Sequence, residues 1–593
     1  MKHILVGGLA IIGGLAILVV VVGLGVGVVY WISKGRVPAK TILEADFERG
    51  LIEYVPDDPV AQVMLAKTPI VRDRVEALKR ASEDDRVVAL VARVGVAEMG
   101  LAQIQEVRDA ILAFRSKGKP AIAYAETFGE AGPGNGAYYL ATAFDAIYLH
   151  PSGDVNLTGL ISEHPFIRGT LEKLGITPHM DHRREYKTFM NLFTERKYTE
   201  PHREATLKVM ESHFGQMVQG IAAARGLSAE KARVLIDRGP FLGPEAMEAK
   251  LVDGLGYRDE VYAKVKEKAG AGAKLLYLST YLERAGRPYT KGSTIALIYG
   301  VGGVQRGKSE YNPVFGGLTM GSDSVTTAFR EAIEDKNVKA IVFRVDSPGG
   351  SYVASDAMWR EVVRAKQVGK PVIVSMGNLA TSGGYFVSMA ADKIVAQPAT
   401  ITGSIGVLGG KMLTAGFWEK AGLSWDEVHT SANATMWTGT QDYTPEQWSR
   451  FQDGLDRVYD DFTSKVAQGR NLPKEKVLEV AKGRIWTGED AKALGLVDEL
   501  GGFPEALRLA KEAAGIPEDA DIRMKVFPAE KTSVRRVLEK LLDRGEDSSE
   551  GQAAIVALTR TLQIVQPLAP LARALGFGLD SGALAVPPLE PPR

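Results

Sequence analysis

The apolar positions of the chain fall into three regimes. From Ile4 to Ile32 they run without one charged residue, and about 20 such residues suffice to span a bilayer as a helix. From Thr41 to Gly515, short runs rich in Val, Ile and Ala alternate with amphipathic stretches, the pattern of buried strands between helices. Thr41-Ile-Leu-Glu-Ala-Asp46, Ala340-Ile-Val-Phe-Arg-Val345 and Val372-Ile-Val-Ser375 are clear strands. Such alternation builds parallel sheets with helical crossovers, so an α/β fold is expected. Beyond Gly515, Ser533–Leu542 and Ala553–Leu575 carry helical stripes. Arg544–Gly551 between them reads as a linker, and Pro587–Arg593 as a disordered end.

The first regime reads as an uncleaved membrane anchor. Tyr30 and Trp31 close it, as interfacial aromatics do. A cleaved signal peptide is the rival, but the run is longer than an ordinary signal core and lacks a clear small-x-small cleavage site. Lys2 precedes the span, whereas Lys34, Arg36 and Lys40 follow it. The charge count therefore does not favour placing the body outside the cytoplasm.

The second regime is a tandem duplication. Arg86-Val-Val-Ala-Leu-Val-Ala-Arg-Val94 matches Asn337-Val-Lys-Ala-Ile-Val-Phe-Arg-Val345 at a shift of 251. Tyr138, Asp145 and Pro151 match Tyr385, Asp392 and Pro398 at 247, and Leu251-Val-Asp253 matches Leu496-Val-Asp498 at 245. Small drifts in the shift are loop-length changes between two copies of one unit. The expected organisation is an anchor over 1–40, a first repeat over 41–283, a linker over 284–293, a second repeat over 294–515 and a helical, partly disordered extension over 516–593.

Composition excludes several chemistries. Lys+Arg and Asp+Glu are equal at 72 each, which gives no electrostatic reason for a nucleic-acid partner. With no cysteine there is no thiolate nucleophile, thiolate metal site or disulfide. No metal or cofactor is expected.

Two motifs in the second repeat carry chemistry. In Met376-Gly-Asn-Leu-Ala-Thr-Ser382-Gly-Gly, Ser382 falls where a turn becomes a helix, and Gly383 and Gly384 leave backbone N–H groups uncovered beside it. Asp346-Ser-Pro-Gly-Gly350 ends the preceding strand in another Gly-Gly turn, about 30 residues earlier. Each turn alone reads equally as structure, Ser382 as a helix cap and Ser-Pro-Gly-Gly as an ordinary turn. Together they supply what a two-donor oxyanion hole requires, from the N–H groups of Gly350 and Gly383. The first repeat has Asn135 in place of Ser382, and Gly95-Val-Ala-Glu-Met99 in place of the earlier turn. The base for Ser382 is less legible. His429 is the one histidine of the second repeat, lies outside these motifs and reads as solvated, and no Gly-x-Ser-x-Gly surrounds the serine. A lysine serves as a base for serine when burial keeps it neutral.

The anchor, the duplicated body, Asp346-Ser-Pro-Gly-Gly350, Thr381-Ser-Gly-Gly-Tyr385 and Thr402-Gly-Ser-Ile-Gly406 together resemble the long bacterial form of the signal peptide peptidase A (protease IV) family. The resemblance covers about residues 1–515. It implies tandem Clp protease/crotonase-like domains and a serine endopeptidase with a Ser/Lys dyad. Ser382 would be the nucleophile, and Lys187 in Glu185-Tyr-Lys187-Thr the general base. Ser404 of Thr-Gly-Ser-Ile-Gly would orient the lysine. The duplication supports Lys187: its counterpart is Ala434, so each repeat keeps one half of the pair. The resemblance further implies remnant signal peptides as substrates and a bowl-shaped homotetramer. It places the catalytic body on the outer, periplasmic side of the bacterial cytoplasmic membrane. Two rivals compete. A crotonase-type acyl-CoA enzyme shares the paired oxyanion donors, and a non-catalytic membrane scaffold would extend the motif loss already seen in the first repeat.

Overall fold

The computed structural model describes residues 35–65, 67–96, 98–312 and 317–528. The expected anchor span Ile4–Ile32 and the expected helices at Ser533–Leu542 and Ala553–Leu575 lie outside the described residues. Among the described residues no helix is long and apolar enough to cross a membrane.

The body is built on two sheets, one per repeat. The first runs, in spatial order, Gly254–Leu255, Ala146–Leu149, Ala121–Ala125, Val87–Arg93, Thr41–Asp46 and Lys274–Tyr277, and every pairing is parallel. Side chains of adjacent strand residues point to opposite faces. Ile42, Ala89 and Val91 face the helix Arg258–Ala269, while Leu43, Leu90 and Ala92 face the main core. Both faces are covered, which is why these strands read as unbroken apolar runs.

The second sheet repeats the plan. Ser293–Val301 lies between Val338–Ser347 and Ile522–Phe527, and Val372–Thr381 follows beyond Val338–Ser347. Val372–Thr381 is long enough to carry Lys393–Ala396 along its first half and Ile401–Gly403 along its second. Ile485–Thr487 closes that edge as an antiparallel strand. The strand Ile522–Phe527 is the counterpart of Lys274–Tyr277 and pairs with Ser293–Val301. Residues 516–528 thus continue the second repeat, whereas the sequence boundary at 515 assigned them to a helical extension. The reason is edge pairing: Ile522 and Phe527 are buried against the sheet.

The matched residues of the duplication hold equivalent bonds. The Tyr138 hydroxyl donates to the Leu251 carbonyl at 2.7 Å, and that of Tyr385 to the Leu496 carbonyl at 2.9 Å. Asp145 accepts from the Ala121 N–H and Asp392 from the Val372 N–H, each at 2.8 Å. Asp253 and Asp498 accept from the Ile147 and Ile394 N–H groups at 2.8 and 2.7 Å. These side chains cap strand starts that would otherwise bury unpaired donors.

Of the contacts that join the repeats, two position the site. The helix Leu101–Arg115 of the first lies on the second sheet, where buried Arg344 forms ion pairs with Glu53 at 2.9 Å and Glu106 at 2.7 Å. The strand Thr177–His182 of the first pairs antiparallel with Leu408–Leu413 of the second. It is this second contact that carries Lys187 into the other repeat.

Candidate active site

Ser382 ends the strand Val372–Thr381 and stands just before the helix Gly383–Ser388. Its backbone has φ 53° and ψ −114°, a conformation that non-glycine residues adopt only when the surroundings enforce it. The surroundings do so: the Ser382 N–H donates to the Gly403 carbonyl, and the Phe386 N–H to the Ser382 carbonyl, each at 2.8 Å. The Ser382 side chain makes no capping bond to its helix, so the reading of it as a cap fails. Its Oγ instead faces the first repeat.

Lys187 meets it there. Its Nζ lies 2.8 Å from Ser382 Oγ, 2.9 Å from the Ser404 carbonyl and 3.1 Å from Ser404 Oγ. Lys187 is 1% exposed, and Ser382 and Ser404 are buried with it. Burial alone lowers the amine from its ordinary 10.5 to about 7, because a charge in a dry site loses its hydration. Among the described residues no carboxylate forms an ion pair with Lys187 to restore the charge. His429 is exposed with its Nδ1 3.3 Å from Glu427, and among the described residues no histidine hydrogen-bonds Ser382.

The two glycine turns close on Ser382 from the other side. Val304 donates to the Gly349 carbonyl and accepts from Ser351, which leaves the Gly350 N–H facing away from that bridge. A Cβ built on Gly383 would lie 3.1 Å from the Gly350 nitrogen, so the two donors are neighbours. Neither N–H donates to an acceptor of the chain among the described residues. Gly349, at φ 98°, leaves no room for a side chain: a Cβ there would lie 2.7 Å from the Gly383 nitrogen and 2.8 Å from Ser382 Cβ. The Thr381 hydroxyl donates to the Pro348 carbonyl at 3.0 Å and ties the turns together.

The first repeat shows the same place without its chemistry. Asn135 begins the equivalent helix, but its Nδ2 donates to the Gly159 carbonyl at 2.7 Å and its Oδ1 accepts from the Thr158 and Gly159 N–H groups. The side chain is consumed in holding the loop. Ala434, the counterpart of Lys187, is exposed.

Some positions the sequence does not reveal. Gly483 (φ 80°) packs on the lysine backbone so tightly that a Cβ would lie 2.5 Å from the Lys187 nitrogen. The neighbouring Lys482 carbonyl accepts from the Tyr186 N–H at 3.1 Å. Asn378 sits in a bulge of the strand Val372–Thr381, and its Oδ1 accepts from the Gln103 N–H at 3.1 Å. It thereby caps the start of the first repeat's helix Leu101–Arg115. Neither residue has a sequence signal beyond an ordinary Gly or Asn.

The assembled geometry offers a neutral amine against a strained, buried hydroxyl, with two backbone donors beside it, which is the equipment for acyl transfer. Similarity to known proteins takes in Lys187, Ser382 and Ser404. The profile of peptidase family S49 matches residues 113–272 and 364–517, one segment in each repeat. A serine protease SPPA, chloroplastic, of Arabidopsis thaliana is 31% identical over 472 residues, covering 78% of this chain and 68% of that one. Protease 4 of Salmonella typhi is 32% identical over 458 residues, covering 75% and 72%. A putative signal peptide peptidase SppA of Enterococcus faecium is 34% identical over 199 residues, covering 34% of this chain and 58% of its own.

Proposed function

The chain belongs to peptidase family S49 and is a serine protease, and we propose that it is a membrane-anchored endopeptidase that degrades cleaved signal peptides and other membrane-proximal peptides with a Ser/Lys dyad. The observation that carries the dyad is the 2.8 Å contact between Lys187 Nζ and Ser382 Oγ in a site closed to solvent.

The proposed chemistry runs through these atoms. A neutral amine has two N–H groups and one lone pair. The N–H groups are met by the carbonyl and Oγ of Ser404, which turns the lone pair to the Ser382 hydroxyl. Lys187 takes that proton as Ser382 Oγ forms a bond to the scissile carbonyl carbon. The Gly350 and Gly383 N–H groups hold the oxyanion. The carbon–nitrogen bond then breaks as the protonated lysine gives its proton to the leaving amine. Water, deprotonated by Lys187 in turn, releases the acyl group and restores Ser382. Each oxyanion donor is worth about 3–4 kcal/mol of barrier.

Signal-peptide substrates are supported by the resemblance and by the name of the Enterococcus relative. Both repeats as Clp/crotonase-like domains are supported by the parallel sheets, and the second also by its Gly-Gly turns. A single-pass anchor is supported by the uncharged run Ile4–Ile32. Placement of the body on the outer side of the bacterial cytoplasmic membrane, and a homotetramer, are proposed from the resemblance. Family membership sets aside the acyl-CoA and scaffold readings.

The experiment is labelling of the full chain in detergent with a fluorophosphonate probe, alongside hydrolysis of a synthetic signal peptide. Adduct on Ser382 and cleavage within the apolar core of the peptide are expected. Cleavage that survives Ser382→Ala would overturn the dyad, and labelling without any peptide cleavage would overturn the substrate class.

A further inference from the structure

Lys187 is held at its amine by Ser382 and Ser404, but its backbone lies in no long element. It falls between the strand Thr177–His182 and the short turn of helix Thr188–Met190. Ser404 likewise stands just past the short strand Ile401–Gly403. Among the described residues seven non-glycine residues have positive φ, and four of them, Arg184, Ser382, Ser404 and Lys482, gather at this site. Such backbone persists only where neighbours enforce it.

One loop of the second repeat reaches both segments. The Lys482 carbonyl accepts from the Tyr186 N–H at 3.1 Å, the Gly483 N–H donates to the Ile405 carbonyl at 2.8 Å, and the Arg484 carbonyl accepts from the Ser404 N–H at 2.7 Å. Tyr186 is thus the chain neighbour of the base, and Arg484 holds the residue that orients it. Their side chains meet on Glu204, near the start of the first repeat's helix Glu200–Arg225. The Tyr186 hydroxyl donates to Glu204 Oε2 at 2.5 Å and Arg484 Nη2 to Glu204 Oε1 at 2.8 Å. The Arg484 guanidinium also lies 4.8 Å from the centre of the Tyr186 ring and 4.6 Å from that of Trp486. The Trp486 indole N–H is fixed in turn by the Val480 carbonyl at 2.9 Å. The bonds from Tyr186 and Arg484 hold the Glu204 carboxyl below its ordinary range.

The duplication shows what this cluster goes with. At the shift of 247 that sets Lys187 opposite Ala434, Tyr186 falls opposite Asn433. Tyr198-Thr199 matches Tyr443-Thr444 at 245, and the pair Arg225–Asp253 recurs as Arg470–Asp498, which sets Glu204 opposite Ser449. Gly243 and Gly488 begin equivalent helices at the same shift, which sets Arg484 opposite Gly239. The counterpart that lacks the lysine lacks all three residues.

We propose that Glu204 is a positioning residue for the base: by tying Tyr186 to Arg484 across the two repeats, it latches the Lys187 segment onto the Ser404 loop and keeps water from the amine. Among the described residues, none of the three side chains bonds Lys187 Nζ or Ser382 Oγ, so the latch acts through its neighbours. It does not act through charge, because burial alone lowers the amine. The other titratable groups at this corner are Asp181, His182, Arg183, Arg184 and Glu185, with Asp456, Tyr459 and Lys482 from the second repeat. Glu185 pairs with Lys482 at 3.4 Å, Arg183 pairs with Asp181 at 3.1 Å and with Asp456, and Arg184 lies 5.8 Å from the centre of the Tyr459 ring. An open latch admits water, which favours the ammonium and moves the lysine up. Loss of a nearby anion acting by charge would move it down.

The latch presupposes the dyad proposed above, and the experiment separates the two. Glu204 is half exposed, so its replacement leaves the core intact. The full chain in detergent, as Glu204→Gln, Tyr186→Phe and the double variant, is assayed on a chromogenic peptide across pH, with melting temperatures as the folding control. Glu204→Gln should lower kcat about tenfold and change KM less than about twofold, as a misplaced base does. It should also raise the midpoint of the kcat/KM limb by about one pH unit. Tyr186→Phe keeps the ring beside Arg484 and should do the same to a smaller extent. The double variant should be no slower than Glu204→Gln alone, because both changes open one latch. A midpoint in Glu204→Gln that stays in place or moves down would overturn the proposal, as would additive losses in the double variant. Activity that survives Lys187→Ala refutes the dyad itself, whereas an inactive Lys187→Ala beside a Glu204→Gln of unchanged kcat and midpoint refutes the latch alone.

Discussion

Lys187 Nζ lies 2.8 Å from Ser382 Oγ across 195 positions of sequence, with neither residue more than 1% exposed. The contact exists because the lysine stands in the first repeat and the serine in the second, and the two repeats dock through the strand pair Thr177–His182 and Leu408–Leu413. Ser382→Ala and Lys187→Ala should each lower peptide turnover at least about 1,000-fold, by removal of nucleophile or base. Lys187→Arg should fare no better, because a guanidinium does not deprotonate near neutral pH. Ser404→Ala keeps the carbonyl that the amine donates to and loses only the hydroxyl, so a fall of about tenfold is expected. Single-turnover kinetics on a peptide ester, with melting temperatures as the folding control, checks all four.

The pH dependence has a defined sign. In the folded chain burial lowers the lysine to about 7, against its ordinary 10.5. Catalysis needs the neutral form, so kcat/KM should rise through about pH 7 and then level off. Between about 7 and 10.5 the unfolded chain binds a proton that the folded chain does not, so stability rises with pH across that window. Below about 7 the buried amine must charge as the unfolded one does, and the full penalty is present. Lys187→Met should remove that slope from a pH series of denaturant melts. Asp346 needs a control, since burial first and the Glu53 charge second push its carboxyl up to about 7 as well. Asp346→Asn should leave the midpoint of the kcat/KM limb in place.

Gly349 sets how closely the Gly350 and Gly383 turns approach. With φ 98° and a Cβ position 2.7 Å from the Gly383 nitrogen, Gly349→Ala must push the two turns apart. A loss of about 100-fold in kcat is expected, the scale of one misplaced oxyanion donor, with KM changed much less. Steady-state kinetics on a chromogenic peptide measures both.

Asn378 links the strand that ends at Ser382 to the first repeat. A Cβ on Gly100 would lie 2.2 Å from Asn378 Oδ1, so Gly100→Ala and Asn378→Ala disrupt the same helix cap from opposite sides. Each should slow fluorophosphonate labelling of Ser382 about fivefold, the effect of one lost cap. The double variant should be no slower than Asn378→Ala alone, because the clash disappears with the side chain. Additive effects would show that the two residues act separately.

The fold was legible because strands covered on both faces stay apolar, and because duplicated strings such as Tyr138/Tyr385 and Asp253/Asp498 keep the same bonds. Ser382 and its glycine turns were legible because small residues crowd where backbones approach. Lys187 was not: a buried lysine is written with the same letter as a solvated one, and only the resemblance, with Ala434 as its counterpart, singled it out. Asn378 and Gly483 act through contacts with the other repeat. Asn378 Oδ1 lies 3.1 Å from the Gln103 nitrogen, and a Cβ on Gly483 would lie 2.5 Å from the Lys187 nitrogen. No local pattern encodes such contacts. The strand Ile522–Phe527 escaped for a similar reason: its partner Ser293–Val301 lies more than two hundred positions away.

The proposed chemistry depends on a lysine left uncharged by burial against a serine. Carbon-13 NMR of lysine side chains in the full chain, with the Lys187 resonance assigned by its loss in Lys187→Met, follows that charge directly. The predicted result is one lysine titrating near pH 7 in the wild-type chain. A Lys187 resonance that holds its charged shift up to about pH 10, as a solvated lysine does, would contradict it.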